Sequence, residues 1–135
     1  MLTINENING VNVNLSFNSG INCIDLGLSG SGKTFLMTII KSYCVKHSID
    51  YKFFNYDSKS DDIKSILGNM KNEASIVMMD NADLYMNDEI SALMSKNTNI
   101  IFIVSIKRRL KIKAKYVLFN LKYKGTSLTC KEKLV

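Results

Sequence analysis

The chain has 135 residues, 46% of them hydrophobic and 22% charged, with a formal net charge of +6. These values describe an ordinary globular protein long enough to bury its own core, and they exclude a low-complexity chain or a stapled miniprotein. Cys23, Cys44 and Cys130 are too few and too widely spaced for a disulfide framework or a zinc site. No apolar run approaches the roughly 18 residues of a bilayer span, and no basic stretch precedes the first cation, Lys33. The expectation is a soluble, cytoplasmic, single-domain protein over residues 1–135 with no membrane partner.

In chain order, Leu2-Thr3-Ile4 and Val11 to Phe17 alternate apolar and polar residues around Asn9-Gly10, which predicts an N-terminal hairpin within residues 1–20. A core over residues 21–123 follows. Ile21 to Leu26 is a short strand, Gly27 to Gly32 a glycine-rich loop, and Lys33 to about Lys46 a helix with Leu36, Ile39, Ile40 and Tyr43 on one face. Tyr51 to Tyr56 is a strand. Asp61 to Met70 is a helix with Ser60 as its cap. Ser75 to Met79 is an apolar strand ending at Asp80, residues 84–95 are helical, and Asn99 to Val104 is a strand ending at Ser105. Lys107 to about Lys113 is a short basic helix or turn. Tyr116 to Tyr123 and Thr126 to Cys130 form C-terminal strands over 116–130, joined at Lys124-Gly125. Strands alternating with helices, several of them continuously apolar, predict a mostly parallel sheet covered on both faces.

Gly27-Leu28-Ser29-Gly30-Ser31-Gly32-Lys33-Thr34 fits G-x-x-x-x-G-K-[ST] in full. The residue types follow from the ligand. A triphosphate is a dense anion, glycines let successive N–H groups turn inward as a nest, and the following helix adds its positive end. Lys33 would reach the β- and γ-phosphates and the Thr34 hydroxyl would ligate Mg²⁺. The candidate nucleotide contacts are Gly27, Ser29, Gly30, Ser31, Gly32, Lys33, Thr34 and Phe35. Asp80, closing an apolar strand, has the form of a Walker B carboxylate that would hold the same Mg²⁺. Asn81 follows it, and Asn orients a water without accepting its proton. Asp83 is either a substitute base or the cap of the next helix.

The order of these elements resembles that of P-loop NTPases of the additional-strand (ASCE) division, and Leu15 to Asn22 is similar to the strand–turn–strand entry of ABC-type ATPase heads. The resemblance spans roughly residues 11–105. It implies a three-layer α/β P-loop NTPase fold with sheet order 5-1-4-3-2 and flanking β-hairpins, with ATP and Mg²⁺ as cofactors. It implies for Ser105 the role of a polar sensor facing the γ-phosphate, and it places Asn81 where many such ATPases carry a Glu. The family's Q-loop is missing, since the chain contains no Gln, and so are a separate signature motif and helical insertion. No guanine-reading N-K-x-D is present. The candidate catalytic set is Lys33, Asp80, Asn81, Asp83 and Ser105, with Thr34 and Asp80 on the metal.

Charge is segregated along the chain. Residues 1–106 carry 8 Lys against 11 Asp and Glu, whereas residues 107–135 carry 10 Lys and Arg against one Glu. The stretch 107–124 reads as a contact for nucleic-acid phosphates, a solvated face or docking patch for an acidic protein partner, or the source of an arginine finger through Arg108 or Arg109 in a nucleotide-dependent homodimer. The functional expectation is a weak Mg²⁺-dependent ATPase gating a partner. The alternatives are a nucleotide switch that does not hydrolyse and, third, a small-molecule kinase.

Overall fold

The computed structural model of the chain describes residues 1–26 and 33–133, and of Lys33 and Thr34 the backbone only. Strand β1 (Leu2–Ile8) turns through Asn9 (φ 52°) and Gly10 (φ 84°) into β2 (Val11–Phe17), in a register that sets Leu2 opposite Phe17 and Ile8 opposite Val11. Both turn residues have left-handed backbones, which Asn tolerates and Gly adopts freely. Leu2, Ile4, Ile8, Val11, Val13, Leu15 and Phe17 are all buried, while the alternate Thr, Asn and Ser side chains face out.

The remaining elements are β3 (Gly20–Asp25), α1 (Lys33–Lys46), β4 (Tyr51–Phe54), α2 (Ser60–Asn69), β5 (Ile76–Met79), a 3₁₀ turn (Ala82–Leu84), α3 (Asp88–Lys96), β6 (Ile101–Ile106), β7 (Val117–Lys124) and β8 (Ser127–Glu132). All eight strands join one sheet in the order β1-β2-β8-β7-β3-β6-β5-β4. β1–β2 and β7–β8 are antiparallel, and the other neighbours, β2–β8 included, are parallel where their pairing is defined.

Side chains alternate across this sheet into two apolar clusters. One gathers α1 (Leu36, Met37, Ile39, Ile40, Cys44), the inner face of the β1–β2 hairpin, and Ile24, Ile76, Met78, Ile101 and Ile103. The other gathers α2 (Ile63, Leu67), α3 (Ile90, Met94) and Cys23, Val77, Met79, Phe102 and Val104. Each buried Leu, Ile or Phe contributes about 1.5–3 kcal/mol relative to exposure.

The expected three-layer P-loop NTPase fold, a mostly parallel sheet with hairpins flanking it, is corrected by this arrangement. The described residues form one mixed sheet of eight strands curled into a half-barrel with three α-helices. The order 5-1-4-3-2 names five strands, whereas both hairpins belong to the sheet itself. The apolar face of β1–β2 explains the curl, because that face needs a surface to bury against and α1 supplies it. Tyr43 Oη donates to Thr3 O at 3.3 Å, Lys46 and His47 meet Glu6 at 2.6 Å, and Asn9 Nδ2 donates to Ser42 Oγ at 3.5 Å.

Three local expectations are corrected as well. Ser60 is the first residue of α2 rather than its cap, and the boundary residue Lys59 makes no side-chain capping bond. The helix expected over 84–95 is the short 3₁₀ turn followed by α3, whose cap is Asn87, with Oδ1 accepting from Ile90 N–H at 2.9 Å. No helix forms over 107–113, where the chain is an irregular strap.

Candidate functional site

β3, β6, β5 and β4 run parallel and end at a common edge. Their register sets Ile24 beside Ser105, Val104 beside Met79, and Met79 beside Phe54. Asp80, one residue past β5, therefore stands level with Ser105, and its N–H donates to Phe54 O at 2.8 Å. The fully buried Ser105 hydroxyl donates to Asp80 Oδ1 at 2.6 Å and accepts from Asn81 N–H at 3.0 Å. Asn81 takes a left-handed backbone (φ 52°, ψ 43°), a conformation that Asn accepts more readily than most residues. Ser105 thus spends its hydroxyl on holding the Asp80 carboxylate and the turn after it.

Tyr85 completes this group, and nothing in its spacing or type marked it in the sequence. Its hydroxyl donates to Asp80 O at 2.9 Å and lies 3.3 Å from Phe54 O, so it braces the ends of β4 and β5. Burial, with Asp80 and then Asp83 adding negative charge nearby, pushes its phenol well above the usual tyrosine range. Asp83 does not cap α3. It sits in the 3₁₀ turn, and its Oδ1 accepts from Lys107 N–H at 3.2 Å. Among the described residues no buried side-chain polar atom lacks a hydrogen-bond partner.

Gly27, Ser29, Gly30, Ser31 and Gly32 lie outside the described residues, as do the side chains of Lys33 and Thr34. The ends of that segment are placed. The chain leaves β3 through Leu26, whose N–H donates to Ile106 O at 2.9 Å, and returns at the first turn of α1. Phe35 is half-buried, its ring edge-on to Tyr123 with centroids 5.3 Å apart, so it packs on the α1 side of the sheet. Asp25, at the end of β3, lies 3.8 Å from Lys133 Nζ.

β3 and β6 are neighbours whose outgoing segments take opposite faces. α1 follows β3 on one face, and the strap after β6 packs Leu110 and Ile112 into the cluster on the other. In parallel sheets, ligands bind outside the carboxyl ends of strands at such a divergence. Asp80, Ser105 and the exit of β3 all lie there. Two clefts open elsewhere, about 480 Å³ beside Ser19, Ile49, Ser75 and Asn99, and about 760 Å³ beside Asp50, Lys52, Asn69 and Glu73. Both lie at the amino ends of the strands, away from this polar group.

Among the described residues no group of three or more His, Cys, Asp or Glu could hold a metal ion by itself. The cysteines are free, and burial raises Cys23 and Cys130 to about 12 and Cys44 to about 11, which removes them as nucleophiles. No helix of the described residues is long and apolar enough to cross a membrane. Compared with protein-family models and with curated proteins, the chain finds no match.

Proposed function

We propose that the chain binds ATP with Mg²⁺ in the loop Gly27 to Thr34, at the carboxyl edge beside Asp80, and hydrolyses it slowly to gate a partner. The observation that carries this reading is the Asp80–Ser105 pair, standing level with the end of the strand that feeds a full G-x-x-x-x-G-K-[ST] segment. A carboxylate held by a buried hydroxyl is an oriented oxygen donor. The donor set suits Mg²⁺ carried in on phosphates, because that ion takes one or two protein oxygens and completes its shell with phosphate and water.

In this reading Lys33 neutralises the β- and γ-phosphates, Thr34 and Asp80 hold the ion, and Ser105 fixes Asp80 instead of facing the γ-phosphate itself. Asn81 orients water without deprotonating it, and Asp83 is engaged with the backbone of Lys107. Weak turnover follows, because positioning and charge stabilisation still operate without a base. Asn81 equally favours a second reading, a switch that binds and releases nucleotide unhydrolysed. Single-turnover phosphate release separates the two.

Calorimetric titration with Mg·ATP tests the binding claim. Lys33→Ala is expected to weaken affinity at least tenfold while the protein melts as wild type does. Unchanged affinity in that variant overturns the assignment.

A further inference from the structure

β7 lies parallel to β3, which lies parallel to β6, so the chain between β6 and β7 must return from the carboxyl edge to the amino edge. It does so without a helix. Along the return, Leu110 is buried and Ile112, Ala114 and Tyr116 pack into the α2–α3 cluster, while Lys111, Lys113 and Lys115 between them are exposed. Lys107, Arg108 and Arg109, also exposed, stand at its head. Two carboxylates pin its backbone rather than its cations, Asp83 accepting from Lys107 N–H and Asp88 from Lys113 N–H, each at 3.2 Å. Among the described residues the ion pairs involve Lys46, His47, Lys64 and Lys133, and none involves the strap.

We propose that the strap 107–116 is a surface for the phosphate backbone of nucleic acid, its outward cations neutralising successive phosphates. Lys111, Lys113 and Lys115 alternate with Leu110, Ile112, Ala114 and Tyr116, which pack inward, so these cations share the outward side of the strap. The inward turn of every apolar side chain of the strap selects the partner class. Protein interfaces are centred on apolar and aromatic anchors and are depleted in Lys, and the strap offers no such anchor. Nucleic-acid interfaces are polar, strongly positive and built largely on phosphate contacts. With no aromatic ring presented outward from the strap for stacking, binding is to the backbone and indifferent to sequence.

This inference is independent of the nucleotide site, and its test omits ATP and Mg²⁺. Fluorescence anisotropy with a labelled oligothymidylate across a salt series is expected to give a straight line of log affinity against log salt. Each phosphate neutralised contributes about −0.7 to the slope for a single strand. Lys111→Gln/Lys113→Gln/Lys115→Gln is then expected to flatten the slope by about 2 and to cut low-salt affinity more than tenfold. Lys111→Gln alone is expected to remove about 0.7, and Lys52→Gln/Lys71→Gln, at the amino-end groove, is expected to change neither. Identical slopes for the wild type and the triple variant overturn the proposal. So does competition by polyglutamate as effective as that by unlabelled oligonucleotide, which would assign the strap to an acidic polypeptide.

Discussion

The hairpin against α1 and the carboxyl edge of the sheet both join polar side chains across elements, and they differ in what those contacts are worth. Where the β1–β2 hairpin lies on α1, Glu6 meets Lys46 and His47 at 2.6 Å at the surface, with the Lys46 side chain 60% exposed. At the carboxyl edge, Ser105, Asp80, Asn81 and Tyr85 meet over similar distances, with Ser105 fully buried. Water readily replaces a lost partner in the first place and less readily in the second, where the Ser105 hydroxyl is fully buried and its partners are half-buried. The hairpin is held by its apolar inner face, with the ion pairs marginal. The carboxyl edge depends on polar groups that satisfy one another, so losing one strands its neighbours.

Ser105→Ala is expected to have the largest effect. It removes the donor to Asp80 and the acceptor of Asn81 N–H together, at an expected cost of about 1–3 kcal/mol in urea unfolding, with Mg·ATP affinity falling in parallel. A fully stable variant would make the carboxyl edge no different from the hairpin.

Tyr85→Phe is expected to cost less, about 0.5–1.5 kcal/mol, because one hydroxyl is lost and the ring is kept. It also carries a pH test. The folded state raises the Tyr85 phenol above its ordinary value of 10.0, so it favours the neutral form. That stabilisation is fully present below pH 10.0 and is lost as pH rises through the folded-state value. The fall in wild-type stability above pH 10 is therefore expected to be shallower in Tyr85→Phe, read from urea midpoints across the alkaline range.

Glu6→Gln is expected to have the smallest effect. Lys46 first, then His47, hold the Glu6 carboxyl below its ordinary value of 4.5. Its contribution is present above pH 4.5 and is lost as pH falls through the lowered value. The variant is expected to melt within error of wild type at pH 7 and to differ only in a slightly flatter acid limb. A large loss at pH 7 would mean that the ion pairs, and not Leu2, Ile4 and Phe17, hold the hairpin to α1.

The same two regions show what the sequence could reveal. The N-terminal hairpin was legible because its alternation and its Asn9-Gly10 turn are local signals. The apolar runs of β5 and β6 were legible for the same reason, and the carboxylate after β5 brought Asp80 into consideration, whereas Ser105, expected to follow the end of β6, lies within that strand. The union of the two hairpins in one curled sheet was not legible. It rests on β2 pairing with β8 at Asn12 beside Ser127, far apart in the chain and invisible to periodicity. Asp83 was open to a capping role because Asp is a good cap, yet Asn87 is another, and the 3₁₀ turn moved the start of α3 to it. Tyr85 carries no motif, and only the fold brings its hydroxyl to Asp80 O. The strap could have been read from Leu110-Lys111-Ile112-Lys113-Ala114-Lys115-Tyr116, whose two-residue alternation argues against a helix.

The measurement closest to the central claim is a double-mutant cycle on Mg·ATP affinity with Thr34→Ala and Asp80→Ala. If the glycine-rich loop and the strand end form one site, both residues act through a single Mg²⁺. The second substitution should then cost at least about 1 kcal/mol less in the presence of the first, and the coupling should vanish when EDTA removes the ion. Strictly additive losses, or coupling unchanged by EDTA, would make Asp80 a structural residue of the β5 end and contradict the account.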